Sequence, residues 1–411
     1  MKLLLLNASA NTGSTGRIAE EIGLLAQQSG FEVRFGYGRE AVNSRLPLIK
    51  IGGKWNVRWH GVVSRLFDAH GFGSRNATKA LIKELEVWKP DIVNIHNLHG
   101  YYIHVGILFE YLKRVQIPVV WTFHDCWPFT GHCSYFDRYN CRKWETECHH
   151  CPNRKGYPES WFLDRSKSNF HRKSQLFNGL ENLTIVTPSA WLAQHVSRSF
   201  LKGYPVKVIN NGVDLKVFQP QINPEIFAKY SIESKPFVLG VASIWDKRKG
   251  LDDFIALSRS LASDIQIVLV GLSTQQAAQL PKGIVAIART ENIKELAALY
   301  SAASVFVNPT FVDNFPTTNI EALACGTPVI TYRTGGSPEA VDENTGLVVE
   351  KGDVEGLKEA IERVVALGKD CYRDKCRERA VRLYNKEERY RDYLETLENL
   401  AIEAALENRA K

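Results

Sequence analysis

No apolar run in the 411 residues approaches the roughly 18 needed to cross a bilayer, so no membrane-spanning helix is expected. The Leu3 to Leu6 run is too short for a signal-peptide core and leads directly into a Gly/Ser-rich turn, so it reads as a first strand. A cytoplasmic protein follows, peripheral at most on the inner face of the plasma membrane. No Asp-x-Asp pair occurs anywhere, which removes the paired-carboxylate device that chelates catalytic Mg²⁺ or Mn²⁺. Internal repeats and low-complexity stretches are absent too, and 44% apolar content rules out a disordered or fibrous chain.

What is present alternates strand and helix throughout, the pattern of parallel α/β sheets. Length alone favours two domains. The first is expected over residues 1–215 and the second over 216–385, with a charged helix from 386 to 411. Strands are expected at Lys2–Asn7, Phe31–Phe35, Asp91–His96, Pro118–Phe123, Thr184–Pro188 and Val206–Ile209. The second set is Phe237–Ala242, Gln266–Val270, Ile284–Ile287, Val305–Asn308 and Val329–Tyr332, with Asn211–Pro236 as the linker. Charge is uneven: residues 1–215 hold 27 Lys+Arg against 17 Asp+Glu, a balance of +10 within a chain total of +7. A basic first half suits an anionic partner such as lipid phosphates or a membrane surface; no nucleic-acid partner is expected.

The most informative stretch runs from Asn308 to Glu350. An apolar strand ends in Asn-Pro-Thr, a loop carries Asp313, and a short helix carries Glu321. A loop entering a helix N-terminus offers free backbone N–H groups and a positive dipole end, a seat for a diphosphate. Carboxylates on either side can hold polyol hydroxyls. Phosphate in the middle with hydroxyls at both ends describes a nucleotide sugar.

The segment resembles the acid-x7-acid signature of retaining GT-B glycosyltransferases of family 4, also called glycosyl transferases group 1. The resemblance implies two Rossmann-like domains facing a central cleft, an acceptor-binding domain followed by a donor-binding one, with the last helix crossing back to the first. It implies that Glu321 holds the donor ribose. Asp313 would face the sugar and diphosphate together with Asn314, Phe315, Thr317 and Thr318. Here the first acid is Asp where the family usually has Glu, a feature of a subset that reads Asp-Asn-Phe-Pro.

Asp246-Lys247-Arg248-Lys249-Gly250 sets three cations at a helix start, suited to charge building on a leaving diphosphate. It is similar to the family's Lys-Gly motif, which implies a diphosphate contact for Lys249. Ser243 stands where the family carries Arg, and Arg248 is the candidate replacement. Asn211-Gly212-Val213-Asp214 matches a family turn of structural role. His124 ends an apolar strand, and the Thr-x-His-Asp match implies a contact to the donor sugar near the reacting carbon. His96, His99 and Gly100, at another strand end, are candidate acceptor contacts, and Gly16 in the first turn is a weaker one. The implied chemistry is glycosyl transfer with retention and no catalytic metal, by front-face attack, with positioning and charge stabilisation in place of a covalent nucleophile. The donor would be a UDP- or GDP-sugar and the acceptor a saccharide or lipid-linked molecule of surface polysaccharide or glycolipid biosynthesis.

Five of the eight cysteines fall between Cys126 and Cys151. Cys133, Cys141, Cys148 and Cys151 are candidates for a structural zinc site that pins a loop with little core, although the spacing matches no common zinc motif and reduced thiols are the alternative. Trp55, Trp59, Val62 and Leu66 form one helical stripe beside Arg58 and Arg65; packed core is the first reading and an interfacial membrane contact the second. Two other functions are weighed. A GT-B nucleotide-sugar epimerase would need a matched acid/base pair that the sequence does not offer. A non-catalytic scaffold would tend to lose Asp313, Glu321, Lys249 and His124, all of which are present.

Overall fold

The computed structural model describes residues 1–410 and divides into two compact units, Met1–Ile209 with the helical segment from Tyr390, and Asn210–Arg389. Each is an α/β unit on a fully parallel sheet. In the first, strands β1 (Lys2–Asn7), β2 (Glu32–Tyr37), β3 (Leu48–Lys50), β4 (Ile92–Ile95), β5 (Val119–Thr122), β6 (Leu183–Thr187) and β7 (Val206–Val208) lie in the order β3-β2-β1-β4-β5-β6-β7. In the second, β8 (Phe237–Val241), β9 (Gln266–Val270), β10 (Ile284–Ile287), β11 (Val305–Asn308), β12 (Val329–Tyr332) and β13 (Gly346–Val349) lie in the order β10-β9-β8-β11-β12-β13. The short edge strands β3 and β13 are additions to the expected set.

Both faces of each sheet are covered, which explains the continuous apolar strands. In β1, Leu3 and Leu5 point to one face and Leu4 and Leu6 to the other, the period-two alternation of a strand. The Leu3 face packs against Ile18 and Ile22 of the helix Gly13–Gln28 and against Tyr393, Leu394 and Leu397 of the C-terminal helix Lys386–Ala410. Lys207 donates to Thr396 Oγ1 at 2.8 Å across that packing. Residues 211–236 are more than a linker. Val213, Phe218 and Ile226 are buried in the second core, and Glu225–Tyr230 is helical.

Two local expectations are overturned. The segment from Cys126 to Cys151 is not short of core, since Trp127, Phe129, Phe136 and Trp144 are all buried in the same cluster as the central strands. The tryptophan stripe, by contrast, is not packed core: on the helix Lys54–Phe67, Trp55 is 80% and Trp59 69% exposed, Val62 is exposed and Leu66 half-buried. That helix buries His60, Gly61 and Ser64 instead. His60 Nδ1 lies 2.8 Å from Ser74 Oγ, and its Nε2 accepts the N–H groups of Gly71 and Gly73. Hydrogen-bond demand at His60 outweighs the apolar stripe in choosing which side faces inward.

Candidate active site

In an open parallel sheet the strand order reverses at one point, and the loops leaving the two strands there diverge to leave a crevice. In the second unit the reversal lies between β8 and β11, so the loops after Val241 and after Asn308 flank it. Those loops carry Lys249 and Asp313. Their side chains meet, Lys249 Nζ donating to Asp313 Oδ2 at 2.6 Å, with both groups about one-fifth exposed.

The backbone around the pair is tightly specified. Asp246 Oδ1 accepts the N–H groups of Arg248 (2.9 Å) and Lys249 (3.2 Å), closing a turn that holds the two cations. Arg248 C=O accepts from Phe311 N–H at 2.8 Å, tying the cationic turn to the acidic loop. Gly250 has φ +74°, and a Cβ there would stand 2.3 Å from the carbonyl of Pro309. Gly335 has φ +54° and passes so close under Asp313 that a Cβ would meet its carbonyl oxygen at 1.6 Å. Only glycine fits at these contacts.

After Asp313 the chain turns through buried Asn314 and Phe315 into the helix Thr317–Ala324. Pro316 precedes it, and no side chain caps this N-terminus. Thr317 and Thr318 are half-buried on the first turn. Glu321, on the next turn, accepts a hydrogen bond from Tyr300 OH at 3.1 Å. Beneath the helix a buried chain of Asn308, Asn319, Ser337 and Thr331 holds β11, β12 and the helix in register through bonds of 2.7 to 3.0 Å. Asp246, Tyr300, Asn319 and Gly335 were not singled out from the sequence. The Asp-x-Arg-Lys-Gly turn and the Gly-Gly pair after Thr334 were the available signals for the first and last.

In the first unit the reversal lies between β1 and β4. Asn7 Oδ1, ending β1, accepts the N–H of Asn97 just after β4 at 3.1 Å. Gly16 and Gly100 lie here. Gly16 sits within the helix that begins at Gly13, where a Cβ would come 2.8 Å from the Ser9 carbonyl; Gly100 has φ +123° and its Cβ would meet Ala8 at 2.8 Å.

The histidines form a wired set. Asn94 Nδ2 donates to Val120 C=O, so its Oδ1 is the acceptor for His96 Nε2–H at 3.0 Å. His96 Nδ1 must then be a lone pair, and it accepts Nε2–H of His124 at 2.9 Å. The two rings stack 5.2 Å apart. Burial holds His124 down to about 4, partly offset by Asp125, and burial with His124 beside it holds His96 well below the ordinary imidazole range. Both rings are therefore neutral near pH 7, and Nδ1 of His124 is an acceptor. His96 is 1% exposed and lies behind His124, so it positions that ring and does not line an accessible surface. His99 Nε2 lies 2.6 Å from Asp125 Oδ2, and its Nδ1 lies 3.0 Å from Tyr157 OH.

Two family models match, Glycosyltransferase Family 4 over residues 17–217 and Glycosyl transferases group 1 over residues 235–366. The chain is a family 4 glycosyltransferase. This glycosyltransferase is 25% identical to a protein named for colanic acid biosynthesis, WcaC of Escherichia coli K12, over 86% of its own length and 88% of that protein. It is 29% identical to alpha-maltose-1-phosphate synthase of Mycolicibacterium smegmatis, over 44% of this chain and 54% of that one. Among solved structures it matches sucrose-phosphate synthase of Thermosynechococcus elongatus with a TM-score of 0.73 at 18% identity, covering 97% and 98% of the two chains. Anabaena Alr3699/HepE in complex with UDP matches with a TM-score of 0.68 at 15% identity, over 97% of this chain and all of that one. These structures establish the GT-B fold.

Proposed function

We propose that this glycosyltransferase moves a hexosyl group, with retention, from a UDP- or GDP-sugar to a saccharide or lipid-linked acceptor in surface polysaccharide or glycolipid biosynthesis. The Lys249–Asp313 pair at the strand-order reversal carries the reading. It sets an ammonium against the loop that leads into the uncapped N-terminus of Thr317–Ala324, where positive charge and backbone donors favour a diphosphate. Asn314 and Phe315 shape the loop, Thr317 and Thr318 add hydroxyls, and Arg248 adds a second cation. Glu321 takes the ribose hydroxyls. Asp313 takes hydroxyls of the sugar while holding Lys249 in place.

In the proposed step the bond from the anomeric carbon to the leaving phosphate oxygen breaks. The acceptor oxygen bonds to the same face, and its proton passes to that phosphate oxygen. Lys249 stabilises the charge that grows on the diphosphate. His124, neutral and oriented by His96, hydrogen-bonds the sugar. His99, Gly100 and Gly16 serve the acceptor. No residue of the set requires a catalytic metal.

The similarity to WcaC, named for colanic acid biosynthesis, supports a polysaccharide setting, and the UDP complex of the Anabaena neighbour supports a nucleotide-sugar donor. For a lipid-linked acceptor, the exposed tryptophans Trp55 and Trp59 beside Arg58 support contact with an anionic bilayer surface. No helix among the described residues is long and apolar enough to cross a membrane. The test is incubation with single nucleotide sugars and a lipid extract, following nucleotide release and the anomeric configuration of the product. Release coupled to an acceptor-linked sugar of unchanged configuration supports the reading. Sugar interconversion without an acceptor, or binding without turnover, contradicts it.

A further inference from the structure

The segment from Thr130 to Cys151 folds back on itself so that Cys133, Cys141, Cys148 and Cys151, far apart by spacing, all border one cavity of about 10 Å³. That is room for about one small occupant. The thiols are close: Cys133 and Cys151 share a hydrogen bond, and Cys148 Sγ accepts the N–H of Gly131 at 3.2 Å. Backbone N–H to sulfur bonds of this kind stabilise a thiolate.

The surrounding shell is more elaborate than reduced cysteines require. Gly131 lets the chain pass where a Cβ would lie 2.0 Å from the Ser166 carbonyl and 2.8 Å from Cys148 Cβ. Asp164 Oδ2 accepts Cys151 N–H at 2.7 Å, while its Oδ1 accepts from Ser166. Trp144 Nε1 donates to the Cys141 carbonyl at 3.0 Å, and Lys143 to the carbonyls of His149 and His150. His132, 3% exposed, borders the same cavity. Its Nδ1 is held by Asp68 at 2.5 Å, and its Nε2 is buried with no hydrogen-bond partner. Lys173 is buried as well; its ammonium donates to the carbonyls of Trp127 and Thr130 and lies within electrostatic range of Cys148 and Cys133. Burial lowers Lys173 to about 7, and the carboxylates of Asp125 and Asp68 also lie within its electrostatic range.

We infer that Cys133, Cys141, Cys148 and Cys151 bind one structural zinc ion. Zinc with four thiolates is a closed tetrahedral site carrying two net negative charges, within electrostatic range of the buried Lys173. Each thiol releases its proton to solvent on binding. As the side chains lie, no group of three or more His, Cys, Asp or Glu among the described residues stands ready to hold a metal. Binding therefore includes rearrangement of the cysteine side chains from these positions. The site is independent of the transfer reaction and serves to lock the segment between β5 and β6.

The test uses the full chain purified without a histidine tag. Elemental analysis should find about one zinc per chain. Blocking the thiols with a mercurial should release it in full to a colorimetric chelator. Protein produced with Co²⁺ in place of zinc should show the intense visible bands and sulfur-to-metal charge transfer of a tetrahedral thiolate site, a readout that requires no variant to fold. In the Cys148→Ser/Cys151→Ser chain, metal content should fall to background. Negligible zinc and no thiolate–cobalt bands, with the four thiols reacting freely in the native protein, overturn the inference. So does bound zinc that survives complete thiol blocking.

Discussion

The first unit holds all eleven histidines and every tryptophan except Trp245, while the second holds no histidine at all. Both have a parallel sheet whose order reverses once, and both concentrate special residues at that reversal. The second unit builds its candidate site from fixed charge: an ammonium, two carboxylates and a helix N-terminus. The first builds with neutral imidazoles whose use depends on which nitrogen carries the proton. A diphosphate needs charge wherever it binds, so a donor site is reusable among enzymes with different acceptors. Hydroxyl groups are recognised by direction, and Asn94, His96 and His124 in series fix the direction of the His124 ring.

The largest expected effect lies on the charged side of that contrast. Lys249→Ala should lower turnover by about tenfold to a thousandfold, the usual range for removing one charge-stabilising donor at a developing anion. Steady-state kinetics on the intact chain would check it. A near-native rate, with Arg248→Ala severely impaired, would transfer the diphosphate role to Arg248.

The histidine-rich unit should answer acid first. His60, His104 and His195 are held at about 4 by burial foremost, as is His124. A folded pKa below the unfolded one means that the unfolded chain binds more protons. Stability is then complete above about pH 6.5 and is lost as pH falls from there toward 4. For the fully buried His60 the loss by pH 5 is on the order of 2 kcal/mol. His132 opposes this: burial pulls it down, but the Asp68 hydrogen bond and charge raise it overall. Peptide-level hydrogen exchange at pH 7 and pH 5 should show protection lost across β1 to β7 ahead of β8 to β13. Equal loss in both units would break the comparison.

A smaller effect should follow from His96→Ala. It leaves His124 Nε2–H without its acceptor, costing about 1–3 kcal/mol of stability where the group stays dry. Because His124 then loses its fixed tautomer, the pH profile of transfer should also move. A purely packing role would leave that profile unchanged.

The contrast also explains what could be read from the sequence. The loop-to-helix form of the 313–321 block and the turn at Lys249 were legible because each lies at a short, fixed spacing along one stretch of chain, and the structure brings Lys249 and Asp313 together. Strands β1, β5 and β11 were legible because burial on both faces leaves continuous apolar runs. The histidine wiring was not, since Asn94 and His96 reach His124 only across neighbouring strands, and His99 finds Asp125 and Tyr157 from separate loops. The helix Lys54–Phe67 was misread because its apolar stripe is periodic, yet His60 governs which face turns inward.

The central claim is that the second unit holds a nucleotide through Lys249 and Asp313 on the diphosphate and sugar and Glu321 on the ribose. Calorimetric binding of UDP and of GDP to the intact wild-type chain and to Glu321→Ala tests it most directly. One nucleotide should bind the wild type. The variant should bind it about tenfold to a hundredfold more weakly, the worth of a hydrogen bond to a charged group, with transfer falling in parallel because ribose is held in ground and transition states alike. Unchanged nucleotide affinity in a folded Glu321→Ala chain would contradict the account.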